Sequence, residues 1–318
     1  LVTLEPCGAA LSYKFNPGHY LAADNRNTWA TVIASELPAS PTLRGMRVRY
    51  GWQELEPAKG QYDFSQIESD LRDLAGVAGG PRKLQAMIQI RTFGVGTHAA
   101  PAYIRNNSIY GPVAQGGGEW EYKSMIGGPG GTNLRLWNPN VVARLKALFE
   151  ALGDRFNAEP HFEMIGLPET ATGTPVNAPD FTLDGYFDGA LESMVALAAS
   201  FPNTITRGMA TFPRQQLVRL HDGKTFLQTL VDSRVAIGWP DTVQHDAHLW
   251  GVDKNTGAPL SPRGIYYWAR QPMIQGVAIL APEVQNTNYV WTNETRINGD
   301  NTQNALGGQA PSIQNIFD

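Results

Sequence analysis

Phe162-Glu-Met-Ile-Gly-Leu-Pro-Glu169-Thr-Ala and Gly276-Val-Ala-Ile-Leu-Ala-Pro-Glu283-Val-Gln share one grammar: a short apolar run, a proline, then a glutamate. A bounded apolar run of this length reads as a buried strand. The proline has no N–H to give to a ladder, so it marks the strand's end. Each glutamate therefore falls at the C-terminal tip of a strand.

Outward from these two runs, strand-like and helix-like segments alternate, the pattern of βα units around a parallel sheet. Strands are expected at 11–16, 45–50, 84–91, 162–167, 204–210, 235–239 and 276–281. Helices are expected at 26–36, 64–76, 139–156, 183–200, 214–232 and 262–271. In the helix at 139–156, Val142, Leu145, Leu148, Phe149 and Leu152 recur at helical spacing and belong to the core. No linker or repeat divides the chain, and 318 residues suit one domain spanning 1–318. The fold expected is an α/β, TIM (β/α)8-type barrel with Glu169 on strand 4 and Glu283 on strand 7. Active sites of that fold lie at the C-terminal strand tips. An eighth strand is missing from the pattern. A truncated chain is the expected reason, or closure by an atypical strand at 287–292; a last helix start is visible at 312–318.

Charged residues are 17% of the chain, hydrophobic residues 42%, and the net charge is −4. Lys and Arg form no basic stripe, which argues against nucleic acid and for a neutral substrate. No run approaches the roughly 18 apolar residues of a membrane helix. Cys7 is the one cysteine, so no intrachain disulfide forms. The chain begins at Leu1, as a mature or trimmed form would, and a secreted or periplasmic location is expected. There is no G-x-S-x-G elbow, no phosphate loop and no dinucleotide fingerprint after a strand, so no cofactor is expected.

Two stretches lack periodicity. The loop at 94–136 carries Gly116-Gly-Gly118, Gly127-Gly-Pro-Gly-Gly131, Trp120 and Tyr122, with Trp137 just beyond it. Loops above about 15 residues inside a compact domain are usually functional or disordered, and these aromatics point to a substrate-facing role. The stretch at 240–262 holds His245, Asp246, His248 and Trp250. A His-x-x-His pair with one Asp matches a metal site only loosely, so no metal is assigned. Eight Trp and eleven Tyr are generous for this length, and aromatic faces stack on sugars as readily as they fill cores. Trp137, Trp239 at the end of strand 6 and Trp291 after strand 7 are the expected platforms; Trp29 and Trp268 read as core.

Two carboxyl groups from separate strand tips are what cleavage of a glycosidic bond requires, about 5–5.5 Å apart when the anomeric configuration is retained. Glutamate suits both roles because its surroundings can move its pKa either way.

A tighter signal lies after strand 2. Trp52-Gln-Glu-Leu-Glu56-Pro57-Ala-Lys-Gly60-Gln-Tyr62-Asp-Phe64 resembles the W-x-x-x-E-P-x-x-G-x-Y-x-F signature of many glycoside hydrolases of clan A. That clan comprises retaining (β/α)8 enzymes acting mostly on β-linked or arabinosidic sugars. The resemblance implies that Glu169 is the acid/base and Glu283 the nucleophile, while Glu56 bridges the loop structurally. Many members place Asn before the acid/base to bond the sugar 2-hydroxyl; Pro168 stands there instead, and the family is left unidentified.

Arg47 and Arg49 share one face of strand 2, opposite Met46 and Val48. An arginine beside the nucleophile would keep it ionised. Clan members often carry one on strand 2, so Arg49, nearer the tip, is expected there, with Arg91 at the end of strand 3 as a weaker alternative. His19 past strand 1 and His98 past strand 3 are expected to bond sugar hydroxyls. Trp52, His245 and His248 complete the expected substrate contacts. The leading expectation is a retaining hydrolase of β-linked oligo- or polysaccharide, with β-glucan first. A non-catalytic carbohydrate-binding barrel is the alternative, motivated by Pro168 and the missing strand. A barrel lyase with His245 or Tyr50 as base is a third reading.

Overall fold

The computed structural model describes residues 14–23, 26–94, 96–124, 129–240, 242, 246–271 and 274–283. Six parallel strands, each paired with the next in chain order, form one curled half-barrel sheet. They are β1 (His19–Ala23), β2 (Leu43–Gly51), β3 (Lys83–Gln89), β4 (Phe162–Glu169), β5 (Ile205–Met209) and β6 (Val235–Gly238). Residues 279–283 extend the sheet beyond β6. Ile237 N–H donates to Ile279 O at 2.9 Å, Ala281 N–H to Ile237 O at 2.9 Å, and Glu283 N–H to Trp239 O at 2.8 Å. This is the strand expected at 276–281, displaced because the chain turns first, with Ala278 N–H donating to Ile274 O at 2.9 Å. An eighth strand is not among the described residues; the segments 287–292 and 312–318 lie outside them.

Alternation divides the sheet into two faces. Met46, Val48 and Tyr50 of β2, with Ile165 and Leu167 of β4, pack into the main hydrophobic core. The helices α1 (Ser65–Ala75), α2 (Pro139–Phe156), α3 (Leu183–Ser200) and α4 (Phe226–Asp232) bring their apolar faces to that core. At the start of α2, Asn138 Oδ1 accepts Asn140 N–H at 2.9 Å and Pro139 takes the first position, a strong start signal.

Several expectations are corrected. Among the described residues the first strand is His19–Ala23; of the strand expected at 11–16, residues 11–13 lie outside them and 14–16 are not in a strand. Residues 14–16 instead cross the N-terminal ends of β4 and β5, where Lys14 N–H donates to Asn203 O at 3.0 Å and Asn16 N–H to Glu163 Oε1. The long glycine-rich loop contributes two antiparallel strands, Glu119–Lys123 and Gly131–Leu134, to a three-stranded sheet completed by Thr174–Pro175 after β4. The helix expected at 214–232 breaks at a two-residue turn, Asp222-Gly223, both in the left-handed region with φ 49° and 82°. What remains of it is Arg214–Val218 and α4. The helix expected at 262–271 is the short Ile265–Ala269.

The Trp52–Phe64 signature is a clasp. Glu56 is 0% exposed, accepting Trp52 Nε1–H at 2.8 Å and Gly60 N–H at 2.8 Å, and it is closed by Arg144 of α2. Tyr62 OH donates to Ala147 O at 3.1 Å, and Phe64 packs on Phe156 at 5.6 Å between ring centroids. The segment after β2 is thus bolted to the helix before β4. Removing one member of a buried ion pair strands the other charge. We expect Glu56→Ala to lower the unfolding free energy by about 3–5 kcal/mol in denaturant titration, whereas Glu192→Ala, which breaks an exposed pair with Lys146, should cost less than about 1 kcal/mol.

Candidate active site

The concave face of the sheet is layered. At its base Met164, Ile205 and Ala236 pack with Ile279 and Ala281. Above them, each strand offers its next inward position, and here the chemistry changes to Arg47 on β2, Arg207 on β5 and Glu283 at the tip of 279–283. Glu283 accepts from Arg207 Nη2 at 2.9 Å, and Arg47 Nε lies 3.4 Å away. Its side chain is 10% exposed. Burial works hardest against the charge on Arg207; Glu283 favours that charge, while Arg47 and Arg49 oppose it.

That contact also measures the curvature. β2 and the 279–283 segment are five strand spacings apart, roughly 24 Å on a flat sheet at about 4.8 Å each. Two side chains cannot span such a gap, so the 3.4 Å approach of Arg47 to Glu283 requires the sheet to curl. Two glycines make room for the arginine. A Cβ on Gly166 of β4 would stand 3.0 Å from Arg207 Cβ, and one on Gly238 of β6 would stand 2.9 Å from Arg207 Cδ. Arg207 reaches Glu283 through a slot that its neighbours leave by having no side chain.

Glu169 reaches the same face by a bulge. Gly166 pairs with Arg207 and Glu169 with Met209, so three residues of β4 span two of β5. Partners across a parallel ladder share a face, and Met209 lies two residues beyond Arg207 on its face. Without the extra residue Glu169 would follow Ile165 and Leu167 toward the helices, since a one-residue slip moves every later side chain across the sheet. Pro168, with no N–H to lose, sits where the ladder is interrupted.

Arg91 Nη1 donates to Glu169 Oε1. The guanidinium lies over two aromatic rings, 4.9 Å from the Phe93 centroid and 4.6 Å from that of Tyr122. Tyr122 OH donates to Thr92 O at 2.7 Å, and burial raises its pKa. A small hollow beside the pair is lined by Arg91, Asn133, Leu167, Glu169 and Tyr186. Asn133 Nδ2–H donates to Tyr186 OH at 3.0 Å, and burial pushes that phenol up to about 12.

The other expected contacts scatter. Arg49 shares the inward face with Arg47, but it is Arg47 that stands against Glu283. His98 holds Nδ1 2.5 Å from Glu119 Oε1, and Glu119 Oε2 accepts Ala99 and Ala100 N–H at 3.1 and 3.0 Å. Trp137 is half-buried and donates to Asp180 Oδ2 at 2.8 Å. His248 is exposed on the short helix Ala247–Trp250, with its ring 6.5 Å from that of Phe212. Three expectations are corrected. His19 begins β1, so it lies at the N-terminal end of the sheet, opposite the glutamates. Trp52 is enclosed within the clasp, and Trp239 is buried against Tyr266 at 5.6 Å, so neither indole offers a face to a sugar. His245 and Trp291 lie outside the described residues.

Arg207 and Phe93 escaped the sequence reading, whereas Tyr122 was met only as one of the loop aromatics. The one signal for Arg207 was a charge at an inward position of a strand, as in β2. Among the described residues no three His, Cys, Asp or Glu side chains gather as a metal site would need, and no helix is long and apolar enough to cross a membrane.

No protein-family model and no curated protein matches the chain. Solved structures do. The catalytic domain of a β-amylase from Paenibacillus polymyxa superposes with a TM-score of 0.53 at 10% identity, covering 95% of this chain and 97% of that one. An exo-β-1,4-mannosidase from Opitutaceae bacterium strain TAV5 gives 0.42 at 14% identity, covering 70% of this chain but 37% of its own. A β-galactosidase from Marinomonas ef1 gives 0.46 at 9% identity, covering 76% of this chain and 42% of its own. All three are glycoside hydrolases, and the likeness to the β-amylase domain, at 10% identity, is one of fold.

Filling the arginine slot should uncouple the ion pair. Gly238→Val sets methyl groups in the path of Arg207; we expect a destabilisation of about 1–3 kcal/mol and, in a crystal structure of the variant, loss of the Arg207–Glu283 hydrogen bond.

Proposed function

We propose that the protein is a retaining glycoside hydrolase acting on β-linked glycans, working as a single catalytic domain on an exported polysaccharide-degrading route, with β-glucan the first substrate to test. The observation that carries this reading is the pair of strand-tip glutamates sharing the concave face, one clamped by Arg47 and Arg207, the other held by Arg91. The fold shared with the β-amylase domain supports the coarser part of it, a glycoside hydrolase.

In this mechanism the Glu283 carboxylate attacks the anomeric carbon as the glycosidic C–O bond breaks, and the departing oxygen takes a proton from Glu169. Glu169, now a carboxylate, then removes a proton from water. The resulting oxygen attacks the anomeric carbon and releases Glu283. Arg47 and Arg207 suit a nucleophile, because their contacts with Oε1 hold and aim its carboxylate. Arg91 contacts Oε1 of Glu169, which leaves Oε2 as the atom to carry the proton toward the departing oxygen.

The Arg91–Glu169 pairing also favours a second reading, a carbohydrate-binding barrel without turnover, in which Glu169 only holds Arg91. A screen against β-glucans, mannans, xylans and galactans, followed by anomeric NMR of the product, separates the two. We expect the β-anomer to form first. Glu169→Gln and Glu283→Gln should each lower turnover by about 10²–10⁴ with unchanged folding, and azide should rescue a Glu283→Gly variant. Full activity in Glu283→Gln would remove it as nucleophile; no product with any glycan would leave the binding reading.

A further inference from the structure

We propose that Phe93 is the aromatic platform for the sugar on the leaving-group side of the bond, an inference that rests on the catalytic reading above. Two exposed phenylalanines stand among the described residues, Phe93 at 51% and Phe15 at 59%. Phe15 lies at the N-terminal end of the sheet, beside Lys14 and Asn16. Phe93 lies at the other end, just past β3. Arg91 stacks against it with 4.9 Å between guanidinium and ring centroid, and the same guanidinium donates to Glu169. Ring, guanidinium and candidate acid thus form one contiguous run.

The ring is held, not dangling. Thr92 N–H donates to Thr132 O at 2.9 Å and Gly94 N–H to Gly130 O at 2.7 Å, pinning the backbone on both sides of Phe93. Thr97 Oγ1–H ties the turn to Gly94 O at 2.7 Å. One face of the ring is occupied by Arg91, leaving the rest to solvent. An acid must reach the glycosidic oxygen, so the departing sugar lies immediately beyond it. The apolar C–H face of a pyranose is the surface that an aromatic ring accommodates there. Contacts made away from the broken bond are used to orient the reacting centre, so their loss falls on kcat/KM.

The test compares kcat/KM for the β-linked oligosaccharide hydrolysed in the product screen with that for the glycosyl fluoride of the same sugar. Fluoride is too small to occupy the platform, and the ratio of the two constants is independent of the fraction of protein folded. For Phe93→Ala we expect the oligosaccharide-to-fluoride ratio to fall about tenfold or more, and Phe93→Trp to restore it to within about threefold of wild type. An unchanged ratio in Phe93→Ala, even with both constants lowered, overturns the proposal and places Phe93 as a mere cover for Arg91. A wild-type protein that hydrolyses neither compound overturns the catalytic reading and this one with it.

Discussion

A carboxylate held nearly out of water needs positive charge beside it, and Glu283 obtains that charge from strands that a flat sheet would keep far apart. Arg47 comes from β2 and Arg207 from β5, yet both meet the tip of the segment that follows β6. Curvature is the condition for this meeting. The apolar base of the concave face, Met164, Ile205 and Ala236, lets the strands draw together below, and the arginines bridge the opening above. Chemistry at the rim therefore depends on how closely the floor packs.

The two glutamates reach the rim by different means. Glu283 follows ordinary alternation after Ile279 and Ala281. Glu169 is turned inward by one surplus residue in β4. A bulge beside a site is a recurrent way of re-aiming a single side chain without disturbing the strand beneath it. Here it leaves Ile165 and Leu167 in the helix-facing core while sending the next carboxylate the other way. Their partners differ as well. Glu283 is approached by two guanidiniums from below and beside, whereas Glu169 has one, itself lying over Phe93 and Tyr122.

Much of this was legible in the sequence. The paired Pro-Glu endings located both glutamates, period-two alternation put Arg47 and Arg49 on one face, and the Trp52–Phe64 signature identified Glu56 as a bridge, which its bonds to Trp52, Gly60 and Arg144 bear out. What failed were matters of register and enclosure. Residues 11–16 alternate as convincingly as His19–Ala23, and a strand of five residues carries too short a pattern to outweigh them. Alternation gave no warning of the bulge, since an extra residue in a strand leaves no mark of its own. Trp52 and Trp239 looked like any other indole. Only neighbours distant in sequence, such as Tyr266 beside Trp239, decide which aromatic is walled in. Arg207 needed knowledge of two glycines on flanking strands.

Those glycines carry an evolutionary corollary. Positions 166, 207 and 238 draw on one shared volume, so none of the three can drift alone. A lineage that gained a side chain at either glycine would need a shorter residue at 207 and a new counter-ion for the strand-tip carboxylate. Across divergent sequences, substitutions at these three sites should arrive together or not at all.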